Sequence, residues 1–175
     1  METVILVDEL DAEIGLMEKM EAHEKALLHR AFSVFVFNKK GEILLQQRSL
    51  RKYHSGGLWT NTCCSHPRPN EDTLAAAHRR LKEEMGFDTE LSKAFDFTYK
   101  AEFSNGLTEH EFDHVFIGTY DGLVEPNFTE VESYAYRSVA IVVDSMQRNP
   151  DFFTEWFHIA FPKVVSWLQD QKNKS

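Results

Sequence analysis

Residues 65–87 have the sequence SHPRPNEDTLAAAHRRLKEEMGF, which carries the strongest structural signal in the chain. Asp72 or Thr73 can cap a helix, because their side-chain oxygens accept hydrogen bonds from the free N–H groups of a first turn. Apolar residues then recur at helical spacing: Leu74, Ala77, Leu81 and Met85. Gly86 can end the helix, since glycine readily adopts the left-handed conformation. This stretch therefore predicts an amphipathic helix.

The segments around this helix predict strands and one further helix. Residues 31–49, AFSVFVFNKKGEILLQQRS, predict a hairpin with a turn over Asn38–Gly41. Three more elements are predicted: strands over Phe95–Tyr99 and Phe112–Tyr120, and an aromatic-rich helix over Phe152–Gln169 that Pro162 starts or interrupts. Because no repeat or linker divides the chain, we expect one mixed α/β domain over residues 1–175.

Composition and charge narrow the possible functions. The 42% hydrophobic content, with 14 Phe against 8 Gly and 5 Pro, indicates a packed globule. A net charge of −9 disfavours a general nucleic-acid binder, which needs clustered Lys and Arg. The charge is unevenly spread: residues 101–136 hold eight Asp or Glu and no Lys or Arg, whereas residues 39–52 hold five basic residues and one Glu. An acidic stretch suits metal ions and a basic stretch suits phosphate.

The two cysteines, Cys63 and Cys64, are adjacent. A bridge between them would need unusual geometry and would close almost no loop, so we expect free thiols. The N-terminus shows no basic leader or cleavage site, and no segment approaches the ~18 apolar residues of a membrane span. We therefore expect a reducing, cytoplasmic location and no membrane partner.

The helical stretch also resembles the Nudix box, whose pattern is G-x5-E-x7-R-E-U-x-E-E-x-G-U, with U an apolar residue. Seven positions match: Glu71, Arg79, Leu81, Glu83, Glu84, Gly86 and Phe87. Ser65 replaces the first Gly of the pattern, and Arg80 replaces a Glu. The helix of this box turns carboxylates toward a hard cation that bridges the oxygens of a diphosphate.

Further candidate metal ligands lie outside this helix. They are three histidines, His23, His29 and His66, and two carboxylates, Glu109 and Glu111. Alternation along an extended segment places Glu109 and Glu111 on the same face. Three imidazoles and two carboxylates would form a mixed N/O site suited to Mn, Mg or Zn. Five histidines receive no role: His54, His78, His110, His114 and His158.

Taken together, five segments resemble type 1 isopentenyl diphosphate isomerase: EKMEAH, LLHRAF, LLQQRSLRKYHSGGLWTNTCCSHP, YKAEFSNGLTEHEFDHVF and EWF. The resemblance covers nearly the whole chain. Its most specific part is the TNxxCxHP string followed at the correct distance by RRLxEExG. In that family an Arg replaces the Nudix Glu, as Arg80 does here. The resemblance implies a Nudix-type α/β/α sandwich, in which helices flank a mixed β-sheet.

The same resemblance implies a set of site residues. A divalent metal (Mn, Mg or Zn) would be bound by His23, His29, His66, Glu109 and Glu111. Glu84 would hold a second ion, Mg, on the substrate diphosphate. Four cationic side chains would grip that diphosphate: Lys19, Arg48, Lys52 and Arg80. Whether Arg51 or its neighbour Lys52 meets the phosphate stays open. Cys64 matches the catalytic thiol, and Cys63 is interpreted as a small buried filler.

The implied reaction interconverts isopentenyl and dimethylallyl diphosphate. One proton is added to an alkene carbon and another is removed two carbons away, through a tertiary carbocation that water would trap. Cys64 and Glu111, assisted by Tyr99, would carry the protons. We expect a local positive field to lower the pKa of Cys64, so that thiol and thiolate are both populated. The indoles of Trp59 and Trp156 would stabilise the cation.

Two other functions stay open at this point. A Nudix pyrophosphohydrolase of a nucleoside diphosphate derivative needs the carboxylate helix but no thiol, and Arg80 disfavours it because a box carboxylate is lost. A non-catalytic metal- or nucleotide-binding module would use Cys64 and His66 to close a structural zinc site. For the isomerase, the expected partner is a small isoprenoid diphosphate, with no nucleic acid, and the expected state is a monomer or weak homodimer.

Overall fold

A computed structural model describes all 175 residues. Its elements follow in this order: β1 (Thr3–Val7), β2 (Glu13–Glu18), α1 (Lys19–Glu24), β3 (His29–Phe37), β4 (Glu42–Arg48), β5 (Trp59–Thr60), β6 (Cys63–Ser65), α2 (Thr73–Met85), β7 (Leu91–Glu102), β8 (Thr108–Thr119), β9 (Val131–Ser138), α3 (Val139–Arg148), a 3₁₀ turn (Pro150–Phe152) and α4 (Glu155–Lys174). The nine strands form one sheet, in which β3 and β8 are parallel and the other pairings are antiparallel.

The predicted hairpin is present but opens beyond its turn. β3 and β4 pair only next to the turn, where Phe37 faces Ile43. β3 then pairs with β6 and β8, whereas β4 pairs with β5 and β9. The two strands that the turn joins therefore lead into different parts of the sheet. The prediction missed seven elements: β1, β2, α1, β5, β6, β9 and α3.

Alternation along β3 builds two apolar cores, one on each face of the sheet. Phe32, Val34 and Val36 belong to the core that α2 covers. Phe35 and Phe37 point to the other face and pack in a core with residues of α3 and α4. Helices thus lie on both faces of a mixed sheet, and the predicted α/β/α architecture is confirmed.

Helix α2 begins and ends as predicted. The side chain of Asp72 accepts a hydrogen bond from the N–H of Ala75 at 3.0 Å, and Gly86 ends the helix with φ of +73°. Three of the predicted apolar residues are buried: Ala77, Leu81 and Met85. Leu74 was expected on this buried stripe but is 37% exposed; it lies in the first turn, at the end of the helix.

Helix α4 continues through Pro162, which neither starts nor interrupts it. The helix begins after Thr154, whose side-chain oxygen accepts a hydrogen bond from the N–H of Phe157 at 3.3 Å. Its buried aromatic residues pack against the sheet, with Phe157 stacked between Phe153 and Phe161. None of the helices has the length and apolar character needed to cross a bilayer.

Candidate active site

Three central strands place a row of functional side chains side by side. β8 lies between β3 and β7, so that His29 and Tyr99 are the register partners of Glu111 on its two sides. Glu109 lies two residues earlier in β8, on the same face as Glu111. The prediction that these two carboxylates share a face is therefore confirmed.

A compact group of side chains gathers at one end of this row. Ligand atoms of His23, His29, His66 and Glu111 all lie within 4.8 Å of one another. The Nε2 atom of His66 is 2.8 Å from Oε2 of Glu111, and that of His29 is 3.4 Å from the same oxygen. Both ring nitrogens of His23 and Nε2 of His29 are buried without a hydrogen-bond partner. Since unpaired buried polar atoms are costly, this group is suited to a divalent cation.

The protonation of the group follows from burial and from its contacts. Burial lowers the pKa of His23 to about 3, so its imidazole is neutral and free to bind a metal. Burial opposes charge on His66 as well, but the hydrogen bond to Glu111 and the nearby carboxylate of Glu2 outweigh it and raise the pKa to about 9. The pKa of Glu111 is held well below its usual range, because its contacts with His29 and His66 outweigh burial. A metal must therefore displace a proton from His66 when it binds.

Glu109, expected as a fifth ligand, lies beside this group rather than within it. The hydroxyl of Tyr99 lies 2.9 Å from Oε2 of Glu109 and also contacts Oε1 of Glu111. Burial and the two carboxylates raise the pKa of Tyr99 well above its usual value, so the phenol keeps its proton. Tyr99 is thus a hydrogen-bond donor shared between the two carboxylates.

The two thiols face opposite sides of the sheet. β6 pairs with β3 so that Val34 faces Cys63 and Ser33 faces Cys64, and neighbouring residues of a strand point to opposite faces. Cys63 is fully buried in the core under α2. Cys64 is half-buried and packs with Tyr99 on the other face. Both thiols are free, and Cys63 has the surroundings expected of a buried filler.

The expected lowering of the Cys64 pKa is not found. Burial raises this pKa well above its usual value, and the effect of Arg48 in the opposite direction does not compensate. Carboxylates nearby, Glu84 among them, raise the pKa further. Burial therefore outweighs the local positive charge of Arg48, and the thiol form predominates.

One cavity brings the thiol and the carboxylates together. This central cavity, of about 230 Å³, is lined by Cys64, Glu111 and Trp156, among others. Trp156 is only 3% exposed and belongs to the same apolar cluster as Tyr99 and Cys64. Most of the other lining residues are polar or charged. The cavity therefore has an aromatic wall beside the thiol and a strongly polar remainder.

The structure does not bring Trp59 to this cavity. Its side chain packs instead against the core that contains Phe157, and it forms a bridge with Phe153. Trp59 lies in the short strand β5, where it is the register partner of Gln47 in β4. This pairing directs the indole toward the helical layer of α4 rather than toward Cys64.

The predicted cationic residues all line the central cavity: Lys19, Arg48, Lys52 and Arg80. Arg51, by contrast, is exposed and lies outside the lining. Glu84 also lines the cavity; its Oε1 accepts from Arg80 at 2.5 Å and its Oε2 accepts from Gln46 at 3.0 Å. One part of the cavity is thus suited to a diphosphate accompanied by a cation.

Two carboxylates in the cavity were not predicted. Oε2 of Glu130 lies 2.5 Å from Nη2 of Arg80 and 3.3 Å from Nζ of Lys52. Glu2 contacts Nζ of Lys19 at 2.5 Å and lies 3.7 Å from Nδ1 of His66. Neither residue is close in sequence to its partners, so no local pattern indicated them. Glu130 does lie within the stretch of residues 101–136 that lacks basic residues.

The sheet, the α2 carboxylates and the cavity define a Nudix domain, and the family model described as NUDIX domain matches residues 27–160. Solved structures share the fold. A MutT protein from Methanosarcina mazei has a TM-score of 0.66 at 20% identity, over 85% of this chain and 96% of that chain. A Deinococcus radiodurans protein, DR0079, has a TM-score of 0.70 at 16% identity, over 85% and 90%. The chain belongs to the Nudix family.

Within that family, relatives with much higher identity specify the branch. The protein named isopentenyl-diphosphate Delta-isomerase of Pectobacterium atrosepticum is 50% identical over 171 residues, which cover 98% of this chain and 96% of the relative. Its namesake from Burkholderia multivorans is 54% identical over 157 residues, covering 90% and 89%. The chain is a member of the isopentenyl-diphosphate Delta-isomerase family.

Proposed function

We propose that this protein interconverts isopentenyl diphosphate and dimethylallyl diphosphate, that Cys64 and Glu111 each exchange one proton with a carbon of the substrate, and that the reaction depends on a divalent metal. The activity is the one for which its relatives are named. The observation that supports the proton carriers is their position, because both line one cavity together with the buried indole of Trp156.

The chemistry requires two groups that exchange protons with carbon. One adds a proton to the terminal alkene carbon, which leaves a tertiary carbocation, and the other removes a proton two carbons away, so that the double bond moves. The thiol of Cys64 is protonated, and the carboxylate of Glu111 is ionised. Tyr99 donates a hydrogen bond to that carboxylate and holds it in place. The two carriers exchange roles between the forward and reverse reactions.

The carbocation needs protection from water and a surface that stabilises positive charge. Trp156 supplies an indole face, and such a face contributes about 2 kcal/mol when desolvated. Tyr99 extends the aromatic wall. These side chains offer no nucleophile that would trap the cation, since Tyr99 keeps its proton.

His23, His29, His66 and Glu111 would hold the divalent metal, Mn, Mg or Zn, with Glu109 completing the set from beside them. When bound, the ion supplies positive charge that compensates the buried carboxylates and fixes the orientation of Glu111. The unpaired ring nitrogens of His23 support this assignment.

The diphosphate would lie against Lys19, Arg48, Lys52 and Arg80, with Glu84 binding the Mg that accompanies the substrate. Arg80 and Lys52 are held by Glu130 in the structure. The incoming diphosphate would therefore replace the carboxylate of Glu130 as the partner of these two cations, and it is a more highly charged anion than that carboxylate. Lys52 rather than Arg51 makes this contact, because only Lys52 lines the cavity.

Replacing Arg80 by glutamine is expected to weaken binding of Mg-pyrophosphate about 10- to 100-fold, because a charge-assisted hydrogen bond contributes about 1.5–3 kcal/mol. Isothermal titration calorimetry measures this directly. Arg79→Gln is the matched control, since Arg79 is adjacent on α2 but contacts Glu71 and Glu83 outside the central cavity. Equal affinities of the two variants would contradict the role of Arg80.

Deuterium incorporation from D₂O into isopentenyl diphosphate tests the proposed function. We expect exchange in the metal-loaded protein, loss of exchange with a chelator, and recovery when Mn²⁺ is returned. Alkylation should also abolish exchange and should modify Cys64, because Cys63 is fully buried. Exchange that persists after both treatments would refute the proposal. Release of phosphate instead of exchange would indicate a pyrophosphohydrolase.

We expect the protein to act in the cytoplasm on a small diphosphate substrate. We expect it to be a monomer or a weak homodimer. The two free thiols support a reducing compartment. Size-exclusion chromatography with light scattering at several protein concentrations measures the assembly state.

A further inference from the structure

We propose that His54 is a positioning residue that fixes the carboxylate of Glu109 beside the metal-binding group. This inference rests on the proposed function, because it assigns a role toward the same metal. The sequence alone gave His54 no role.

The contact between the two side chains is close and isolated. His54 is 7% exposed, and its Nε2 atom lies 3.0 Å from Oε1 of Glu109. Nε2 forms no hydrogen bond with aligned geometry in the structure, so its approach to Glu109 is a close polar contact. The second oxygen of Glu109, Oε2, receives the hydroxyl of Tyr99 at 2.9 Å. The carboxylate of Glu109 therefore lies between the imidazole of His54 and the phenol of Tyr99.

Packing fixes the orientation of the imidazole. The ring stacks on Phe103 with centroids 4.4 Å apart and an interplanar angle of 10°. Tyr53 and Trp156 meet it edge-on, at 4.4 Å and 5.8 Å. Nδ1 lies 3.2 Å from Oγ of Ser55.

Glu109 is the predicted ligand that most needs such support. It lies outside the group whose ligand atoms are within 4.8 Å of one another, so its oxygens are placed by their own contacts. Groups that hydrogen-bond to metal-binding carboxylates set the direction of the oxygens, and removing them costs about 10- to 100-fold in metal affinity or activity. His54 and Tyr99 are the two groups in position to do this for Glu109.

The same residue also reaches the cationic part of the cavity. The backbone oxygen of His54 accepts a hydrogen bond from Nη2 of Arg48 at 3.3 Å, and the guanidinium of Arg48 lies 4.9 Å from the ring of Trp156. A substitution that changes only the side chain of His54 leaves this backbone contact available. The effects on metal binding and on diphosphate binding can therefore be separated.

Two variants distinguish the packing role of the His54 ring from the polar role of its Nε2 atom. His54→Phe keeps an aromatic ring against Phe103 but loses Nε2, whereas His54→Gln restores an N–H donor without the ring. We expect His54→Phe to weaken Mn²⁺ binding to the metal-free protein about 10- to 100-fold and His54→Gln to recover most of that loss. Calorimetry measures the affinity. The KM for isopentenyl diphosphate at saturating Mn²⁺ should change little in both variants.

His78→Phe is the control, because His78 lies on α2 outside the central cavity and pairs with Asp88. Wild-type Mn²⁺ affinity in His54→Phe would overturn the inference. If His54→Phe does not fold, His54→Gln and His54→Met offer the same comparison without a ring, and equal affinities would overturn it. Wild-type protein that binds no Mn²⁺, or that binds it equally well after His23→Ala, would refute the metal assignment itself.

Discussion

Replacement of Cys64 by alanine is expected to abolish isomerisation, with kcat lowered on the order of 10⁴-fold. The thiol lines the central cavity and packs in the same cluster as Trp156. Alanine keeps the strand and the packing of the sheet but cannot donate or accept a proton. Steady-state kinetics with isopentenyl diphosphate at saturating metal measures the loss.

Cys63→Ala is the matched control for this experiment. It removes the thiol of the preceding residue, which lies in the core under α2 rather than in the cavity. We expect it to keep its turnover and to lose some stability against urea. Cys64→Ala, in contrast, should keep its circular dichroism spectrum and its Mn²⁺ affinity. Near-normal turnover of Cys64→Ala would remove the thiol from the mechanism.

The second large effect is expected from Glu111→Gln, which should also lower kcat on the order of 10⁴-fold. The amide is the same size as the carboxylate but cannot accept the transferred proton. It also removes the negative charge that contacts His29 and His66, so Mn²⁺ binding should weaken. Turnover must therefore be measured at a Mn²⁺ concentration that saturates the variant, so that the remaining loss reports proton transfer.

Glu102→Gln provides the comparison, since Glu102 is an exposed carboxylate at the end of β7 and lies outside the central cavity. It should leave both Mn²⁺ affinity and turnover unchanged. If saturating metal restored full turnover to Glu111→Gln, the carboxylate would be a metal ligand only, and another group would have to carry the second proton.

Local signals in the sequence predicted the elements that the chain specifies over short distances. The cap at Asp72, the glycine at position 86 and the turn over Asn38–Gly41 act within a few residues, and all three are present. Leu74 shows the limit of such signals. Periodicity places it on the apolar stripe, but only tertiary packing determines where along the helix that stripe is covered.

The site depends on pairings between distant segments, which spacing alone does not reveal. His29 meets Glu111 because β3 and β8 pair in parallel, and that register has no local signature. Residue type and similarity to a family together singled out His29 and Glu111, whereas Glu130 and His54 were missed. Trp59 was misplaced for the same reason, because the pairing of β5 determines the direction of its indole.

The position of the carboxylates in β8 has a consequence for folding. A one-residue slip of this strand would exchange its two faces and turn Glu111 toward the apolar side on which Phe112 packs with Ile5 and Val7. Burying an ionised carboxylate without a partner costs several kcal/mol, so mispaired sheets are strongly penalised. The two carboxylates therefore favour the native register of β8 over a register shifted by one residue. Compact chains with a mispaired sheet and an incomplete site should be rare.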